Sequence, residues 1–374
     1  MKKIIWTVVT IVIVIAIIVT ALVSQKGNTA TIKIAGLYPL TGGLASYGEP
    51  AQKAALIAVE DINATGGING KKLELVSEDH KCDPKTMASL FEKTVNVDGI
   101  HIMTSVACSG TVSAVAPNLE KNDTVLLGTV TSGSKLTAVS PNFYRNWASD
   151  GQEAKLLSNQ VIAKGYKTVA VIYEETDYAK GLKIAMENDL KDSGVKIVSE
   201  SFVSGATDVR TQLTKLQAVK ADVLFVSVQT VPSGETVLTQ IEQLKFQPKA
   251  LFVNDNILKA APLLTNHTAL LDGAIGGDYV FHGSDGLNAL LAKYKAKYGQ
   301  DCPQVNICAA EYDAIAMIAQ GIKENGETSA GVKSYLSHAK YQGISGTISF
   351  DSNNDRSDAN YSLFVIKGGK AVDM

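Results

Sequence analysis

From residue 31 onward the sequence predicts an α/β protein of two Rossmann-like lobes with parallel sheets. Three observations carry this. Strand-like apolar runs alternate with helix-like runs, the pattern of a parallel sheet covered on both faces. The alternation runs through one cycle to about residue 130, and a second cycle of the same kind begins near residue 150. At 374 residues the chain is long enough to build two cores.

The N-terminus sets the compartment. Lys2 and Lys3 precede a run from Ile4 to Val23 that carries no charge. As a helix, twenty residues rise about 30 Å, the thickness of a bilayer core. Secretory apolar regions are shorter, about 7 to 15 residues. The sequence therefore predicts one N-terminal transmembrane helix within residues 1–26, kept as an anchor. A cleaved signal is the alternative, because Val19-Thr20-Ala21 offers a small-residue cleavage site. Both place the body on the extracytoplasmic side. Residues 25–31, QKGNTAT, read as a polar linker.

The body then unfolds in order. Residues 31–38 form a strand, and 50–63 a helix with Pro50 in its first turn and Gly66-Gly67 beyond its end. Asn69-Gly70 is a tight turn before the strand 71–79. Asp83 caps a helix over 83–96, with Pro84 at its first position. The strand 99–106, a helix to Asn122 and the strand 124–130 complete the first cycle. In the second cycle, helices over 150–164, 178–194, 208–219 and 234–245 alternate with strands over 167–174, 195–202, 221–228 and 249–254. The remainder holds the run AIGGDYVF, three helical stretches and a hairpin-like pair across 346–366.

Composition and motifs exclude several chemistries. Basic residues number 35 and acidic residues 37, with no basic stripe, which argues against nucleic acid. There is no G-x-G-x-x-G, no P-loop, no G-x-S-x-G elbow, no H-E-x-x-H and no C-x-x-C. The five histidines form no metal-ligand spacing. The expectation is a protein without cofactor, metal or enzymatic reaction. An amidase or esterase using Ser109 or Cys108 is the enzymatic rival.

Open parallel sheets bind ligands beyond their strand C-termini, so polar groups at each strand end are candidate ligand contacts. Cys108-Ser109-Gly110-Thr111 lies where a strand meets a helix N-terminus, whose free N–H groups and dipole favour an anion. Ser109 could equally be a helix cap. The next strand ends in Thr131-Ser132-Gly133-Ser134, a second hydroxyl cluster that a simple turn would also explain. Tyr47 sits in the glycine-rich loop after the first strand. In the second cycle Tyr178, Gln229 and Asp255 follow strand ends, and Asp255 could be an N-cap instead. One half thus offers uncharged donors for an anion and the other a carboxylate for a cation. A zwitterion enclosed between them would have both charges matched, as desolvated charges require.

Cys108 has a candidate partner in Cys82, just past the second strand. If the second and third strands flank the first, they lie about 9.6 Å apart and their loops must close that gap. Cys302 and Cys308 are candidates for a second, local bridge. An oxidising compartment would allow both.

The stretches IKIAGLYPLTGGLASYGEPAQKAALIAVEDINATGGINGKKLELVSEDHKCDP, ACSGTVSAVAPNLEK, YRNWASD, VAVIYEETDYAKGL and AEYDAIAMIAQGI resemble the type I periplasmic binding proteins. The resemblance is nearest to the leucine/isoleucine/valine-binding proteins of branched-chain amino acid ABC transporters. It implies two lobes joined by a multi-strand hinge: residues 27–147 plus 278–342, and 148–277 plus 343–374. It implies that Ser109 and Ser132, with Thr131 beside it, hold a ligand α-carboxylate. Asp255 would hold the α-ammonium, and Tyr178 and Tyr47 would line the cleft. A family aromatic is replaced by Gln229 or Thr230, a departure from a purely aliphatic pocket. The Cys82–Cys108 pair also matches the family. The implied partners are a small amino acid, ABC permease subunits and, through the N-terminal helix, the membrane. The alternative role is a ligand-sensing receptor module acting through a separate membrane partner.

Overall fold

The computed structural model describes residues 31–281 and 283–374. The apolar run from Ile4 to Val23 lies outside the described residues. Among the described residues no helix is long and apolar enough to cross a membrane.

The first half is built on strands β1 (Thr31–Tyr38), β2 (Lys72–Asp79), β3 (Ile102–Val106), β4 (Val125–Thr129) and β5 (Phe143–Arg145). They pair in the order β2-β1-β3-β4-β5, all parallel. Helices α1 (Ala45–Ala64), α2 (Pro84–Asn96) and α3 (Ser109–Leu119) cross over between them. The helix α1 starts five residues before the predicted Pro50. Tyr47 and Gly48 donate to the Leu44 carbonyl and close a turn ahead of the proline. Asp83 caps α2 by accepting from the Thr86 N–H, as its sequence predicts.

The second half adds helices α4 (Asp150–Ala163), α5 (Asp177–Leu190), α6 (Arg210–Val219) and α7 (Val231–Gln243). Its strands are β6 (Thr168–Glu174), β7 (Lys196–Phe202), β8 (Val223–Ser227), β9 (Ala250–Val253) and β10 (Ile275–Tyr279). Three short helices, α8 (Asp255–Lys259), α9 (Ala261–Asn266) and α10 (Thr268–Leu271), separate β9 from β10. Helices α11 (Gly286–Tyr298), α12 (Val305–Asn325) and α13 (Ser329–Leu336) return to the first half, where α12 packs on α1. The chain ends in β11 (Tyr341–Gly343), β12 (Gly346–Ile348), β13 (Tyr361–Lys367) and β14 (Lys370–Asp373).

The second sheet runs β14-β13-β10-β9-β8-β6-β7, with β13 and β14 antiparallel at one edge. The C-terminal segments depart from the expected hairpin. β12 pairs with β11 in a small ribbon, while β13 pairs with β10. Burial explains this: Ile348 belongs to the core of the first sheet, and Ile366 to that of the second. Each sheet has apolar cores on both faces, as the continuous apolar strands require.

Three segments join the halves, and they pack on one another. Trp147 of the first packs against Tyr279 of the second, with ring centroids 4.5 Å apart and planes tilted by 43°. The third, between β12 and β13, carries Asp355, which pairs with the fully buried Arg145.

Candidate functional site

The C-terminal ends of the two sheets face each other, and the predicted residues ride on the turns that leave them. After β3 the backbone turns sharply: Ala107 and Cys108 both have positive φ, 58° and 57°. Val130, after β4, sits at φ 58°, a costly conformation for a β-branched residue. These strained turns flank the cleft, where such conformations tend to collect.

Cys108, not Ser109, is the residue preceding α3, so Ser109 is the first helical residue. Its hydroxyl does not cap the helix; it accepts the Gly133 N–H at 3.0 Å. A Cβ at Gly133 would lie 2.6 Å from the Ser109 Oγ and 2.8 Å from its Cβ, so any other residue there would have to displace Ser109. The two hydroxyl clusters are thereby tied into one surface. Arg145 fixes it from behind: Nη1 donates to the carbonyls of Thr131, Ser132 and Gly133 at 3.3, 2.8 and 2.9 Å. The Cys82–Cys108 disulfide, with Cα atoms 5.4 Å apart, links the ends of β2 and β3 across β1. Cys302 and Cys308 are also bridged, at the start of α12.

The opposite wall comes from the second half. Asp255 is the first residue of α8, and Asn254 precedes it in the cap position. The Asp255 carboxylate is therefore free for other work. It accepts the Tyr178 hydroxyl, which itself accepts from Asn254 Nδ2 at 2.7 Å. The Asp255 N–H donates to Glu153 at 3.1 Å, and Lys259 Nζ stands 3.0 Å from its Oδ2. Tyr47 reaches across the cleft and donates to Asn256 Oδ1 at 3.1 Å. Burial foremost pushes the Tyr47 hydroxyl up to about 12, so it stays a donor. Gln229 crosses the other way, its Nε2 directed at Cys82 Sγ at 3.1 Å.

Between these walls is a small cavity of about 30 Å³. Ser109, Ser132, Tyr47, Tyr178, Gln229 and Asp255 all line it. Thr131 does not. It is fully buried, and its hydroxyl points back at Gly128 within the sheet. Its Oγ1 finds no hydrogen-bond partner there. The apolar lining includes Leu44 and Val130, which no strand-end pattern singles out. A wider space of about 490 Å³ adjoins at Cys108 and Gln229 and opens between Pro84 and Asp177. Another cavity of about 510 Å³ lies where the first sheet's strands begin, against Ile32, Gly99 and Ile102. That edge is opposite to the one where open parallel sheets take ligands.

Two further acids sit behind Asp255, on the first turn of α4. Asp150 accepts the Tyr361 hydroxyl at 2.8 Å, and its N–H donates to the Ser132 carbonyl at 2.8 Å. Burial, then the Asp255 charge, raises Asp150 to about 7 and Glu153 well above the usual carboxyl range. Neither was legible as a site residue, because both read as ordinary first-turn acids of a helix. Among the described residues no group of three or more His, Cys, Asp or Glu is placed to hold a metal ion.

Comparison with known proteins places the chain. The family model for periplasmic binding proteins matches residues 31–371. The leucine-, isoleucine-, valine-, threonine- and alanine-binding protein of Pseudomonas aeruginosa is 27% identical over 360 residues, 93% of each chain. The crystal structure of LivJ, a branched-chain amino acid transporter substrate-binding protein from Streptococcus pneumoniae in complex with isoleucine, superposes with a TM-score of 0.73. It is 25% identical, and the match covers 92% of this chain and all of that one. The leucine-binding protein LivK of Thermotoga maritima, at 21% identity, shares the fold with a TM-score of 0.78 over 92% of this chain and 97% of its own. With the cleft, the two parallel sheets and a family match across nearly the whole body, the chain belongs to the periplasmic binding proteins.

Proposed function

We propose that this protein is an extracytoplasmic solute-binding protein that captures an amino acid between its lobes and delivers it to an ABC permease. One observation carries the reading. Uncharged donors of the first lobe face a carboxylate and a tyrosine of the second across a closed cleft. An α-carboxylate would lie against Ser109, Ser132 and the N-terminus of α3, and an α-ammonium against Asp255. Tyr178, Tyr47 and Gln229 would complete the enclosure. The branched-chain amino acid ligands of the Pseudomonas and Streptococcus relatives accord with this ligand class. The lobes would be residues 27–147 plus 278–342, and 148–277 plus 343–374, with the third crossing moved from 342/343 to just after Ile348 because that side chain packs in the first core. Opening and closing would be a hinge motion over the three joining segments. No bond is made or broken, and the permease reads the closed form. Residues 4–23 would tether the protein to the outer face of the cell membrane.

The test is thermal unfolding of the full-length protein, in mild detergent, against the twenty amino acids, short amides and aromatic acids. A ligand at a hundred times its Kd adds about 2.7 kcal/mol of stability. A related set of amino acids should raise the melting temperature, and Asp255→Ala should remove the shift. If only compounds lacking an ammonium group raise it, the zwitterion reading fails.

A further inference from the structure

The carboxylate that lines the cavity is not alone. Lys259 lies one turn after Asp255 on α8, and its ammonium is 3.0 Å from Asp255 Oδ2 and 2.7 Å from Asp278 Oδ1. Asp278 comes from β10, where it pairs in register with Ser362 of β13. Asp255 lines the cavity, whereas Lys259 and Asp278 stand behind it. The three form a row of alternating charge: acid, base, acid.

The groups packed around this row leave its charge uncompensated. Tyr47 of α1, Tyr178 of α5 and Tyr361 of β13 are neutral hydroxyls with raised pKa values, burial being the largest cause in each. Glu153 and Asp150 of α4 are the remaining acids, and burial shifts both toward their protonated forms. Lys259 stays charged: burial opposes this, but the fields of Asp255 and Asp278 outweigh it. Burial also raises Asp278 above the usual carboxylate range, against the opposing field of the Lys259 ammonium 2.7 Å away. With both acids ionised the row carries one net negative charge, and one ammonium would balance it.

We propose that Asp278 and Lys259 are positioning residues that set the charge of the Asp255 anchor and so make the site selective for ligands bearing an ammonium group. Asp278 draws Lys259 away from full neutralisation of Asp255. With Asp278 gone, Lys259 and Asp255 would cancel, and an entering ammonium would meet no net charge. With both gone, Asp255 alone restores the single negative charge. This inference rests on the amino-acid reading given above.

The experiment is titration calorimetry on the full-length protein in mild detergent with matched probes. These are L-leucine with 4-methylpentanoate, L-threonine with 3-hydroxybutanoate, and L-glutamine with 4-carbamoylbutanoate. Asp278→Asn should weaken binding of the amino acid by at least about tenfold and leave the des-amino acid unchanged. Lys259→Met should keep or tighten amino acid binding. The double variant should return to within about threefold of the wild type. A merely structural role for the pair would not give this rescue. If Asp278→Asn leaves amino acid binding unchanged, or if the double variant binds no better than Asp278→Asn, the inference is overturned while the amino-acid reading stands. If the wild type binds none of the amino acids in the twenty-member panel, both fall together.

Discussion

Ser132 and Thr131 are adjacent and carry the same functional group, yet their hydroxyls meet different surroundings. Ser132 lines the cavity, while Thr131 turns toward Gly128 behind the sheet. Successive side chains of the chain leaving β4 face opposite sides, so Val130 and Ser132 line the cavity and Thr131 does not. Ser132→Ala should therefore cost about 1–2 kcal/mol of ligand binding, roughly tenfold in Kd. Thr131→Val, close in shape and without the hydroxyl, should leave Kd within about twofold. Calorimetry on both variants checks the register, and an equal loss in the two would refute it. Asp255 shows the same dependence on context. Its sequence position suits a helix cap, but Asn254 holds that place, and the carboxylate instead meets Tyr178 and Lys259.

At the scale of elements, α3 and its preceding turn depend on the Cys82–Cys108 crosslink. The turn is strained at Ala107 and Cys108, and the disulfide ties it to the loop after β2. Cys82 lies 26 residues before Cys108. Closing a loop of that length removes enough unfolded-chain entropy to stabilise the fold by about 3–4 kcal/mol. Replacing both by serine should lower stability by about that amount. It should also weaken ligand binding, since Ser109 and Gln229 both touch this bridge or its neighbour. The Cys302–Cys308 bridge spans only 6 residues and does not line the cleft cavity. Its double serine variant should lose about 2 kcal/mol and keep its affinity. Denaturant melts paired with calorimetry separate the two effects; equal affinity in both variants would show that the first bridge plays no part in the site.

At the scale of the whole molecule, buried ionisable groups set how stability follows pH. Glu311 of α12 is fully buried under the first sheet, accepting from the Tyr38 and Thr104 hydroxyls. Burial, only partly offset by these hydrogen bonds, raises it from 4.5 to about 7. Between those values the folded state keeps a proton that the unfolded chain has released. Stability therefore falls as pH rises through that window and levels off above it. Asp150, raised from 3.8 to about 7, acts in the same direction. His80 acts oppositely: burial lowers it from 6.5 to about 4, so stability is lost as pH falls through that range. Glu311→Gln removes the first contribution alone. Its stability relative to wild type should rise by up to about 3 kcal/mol between pH 4.5 and 7. A difference that does not change with pH, measured by urea unfolding, would refute the assignment.

Much of this molecule is decided locally and is legible in the residue order. Apolar runs of strand length, glycines after helices and Asp83-Pro84 at a helix start specify each element through backbone propensity and burial. The alternation of these elements implies parallel sheets, and parallel sheets imply sites at strand ends, so Ser109, Ser132, Tyr178 and Asp255 could be named in advance. The cysteine pair was accessible for the same reason, since strand order brings the ends of β2 and β3 to either side of β1. Other features depend on segments far apart in the chain, which no local pattern encodes. The last segments read as a hairpin, but Ile348 and Ile366 are buried in different cores, and β13 pairs with a strand far earlier in the chain, from Tyr361 opposite Tyr279 to Val365 opposite Ile275. Asp255 and Lys259 are one helical turn apart, but only packing of α8 against β10 brings Asp278 to the same ammonium. Local sequence thus determined most of the long elements and roughly where they end. Tertiary structure decided which side chains share one desolvated space, because charge and burial act through distance in space and not along the chain.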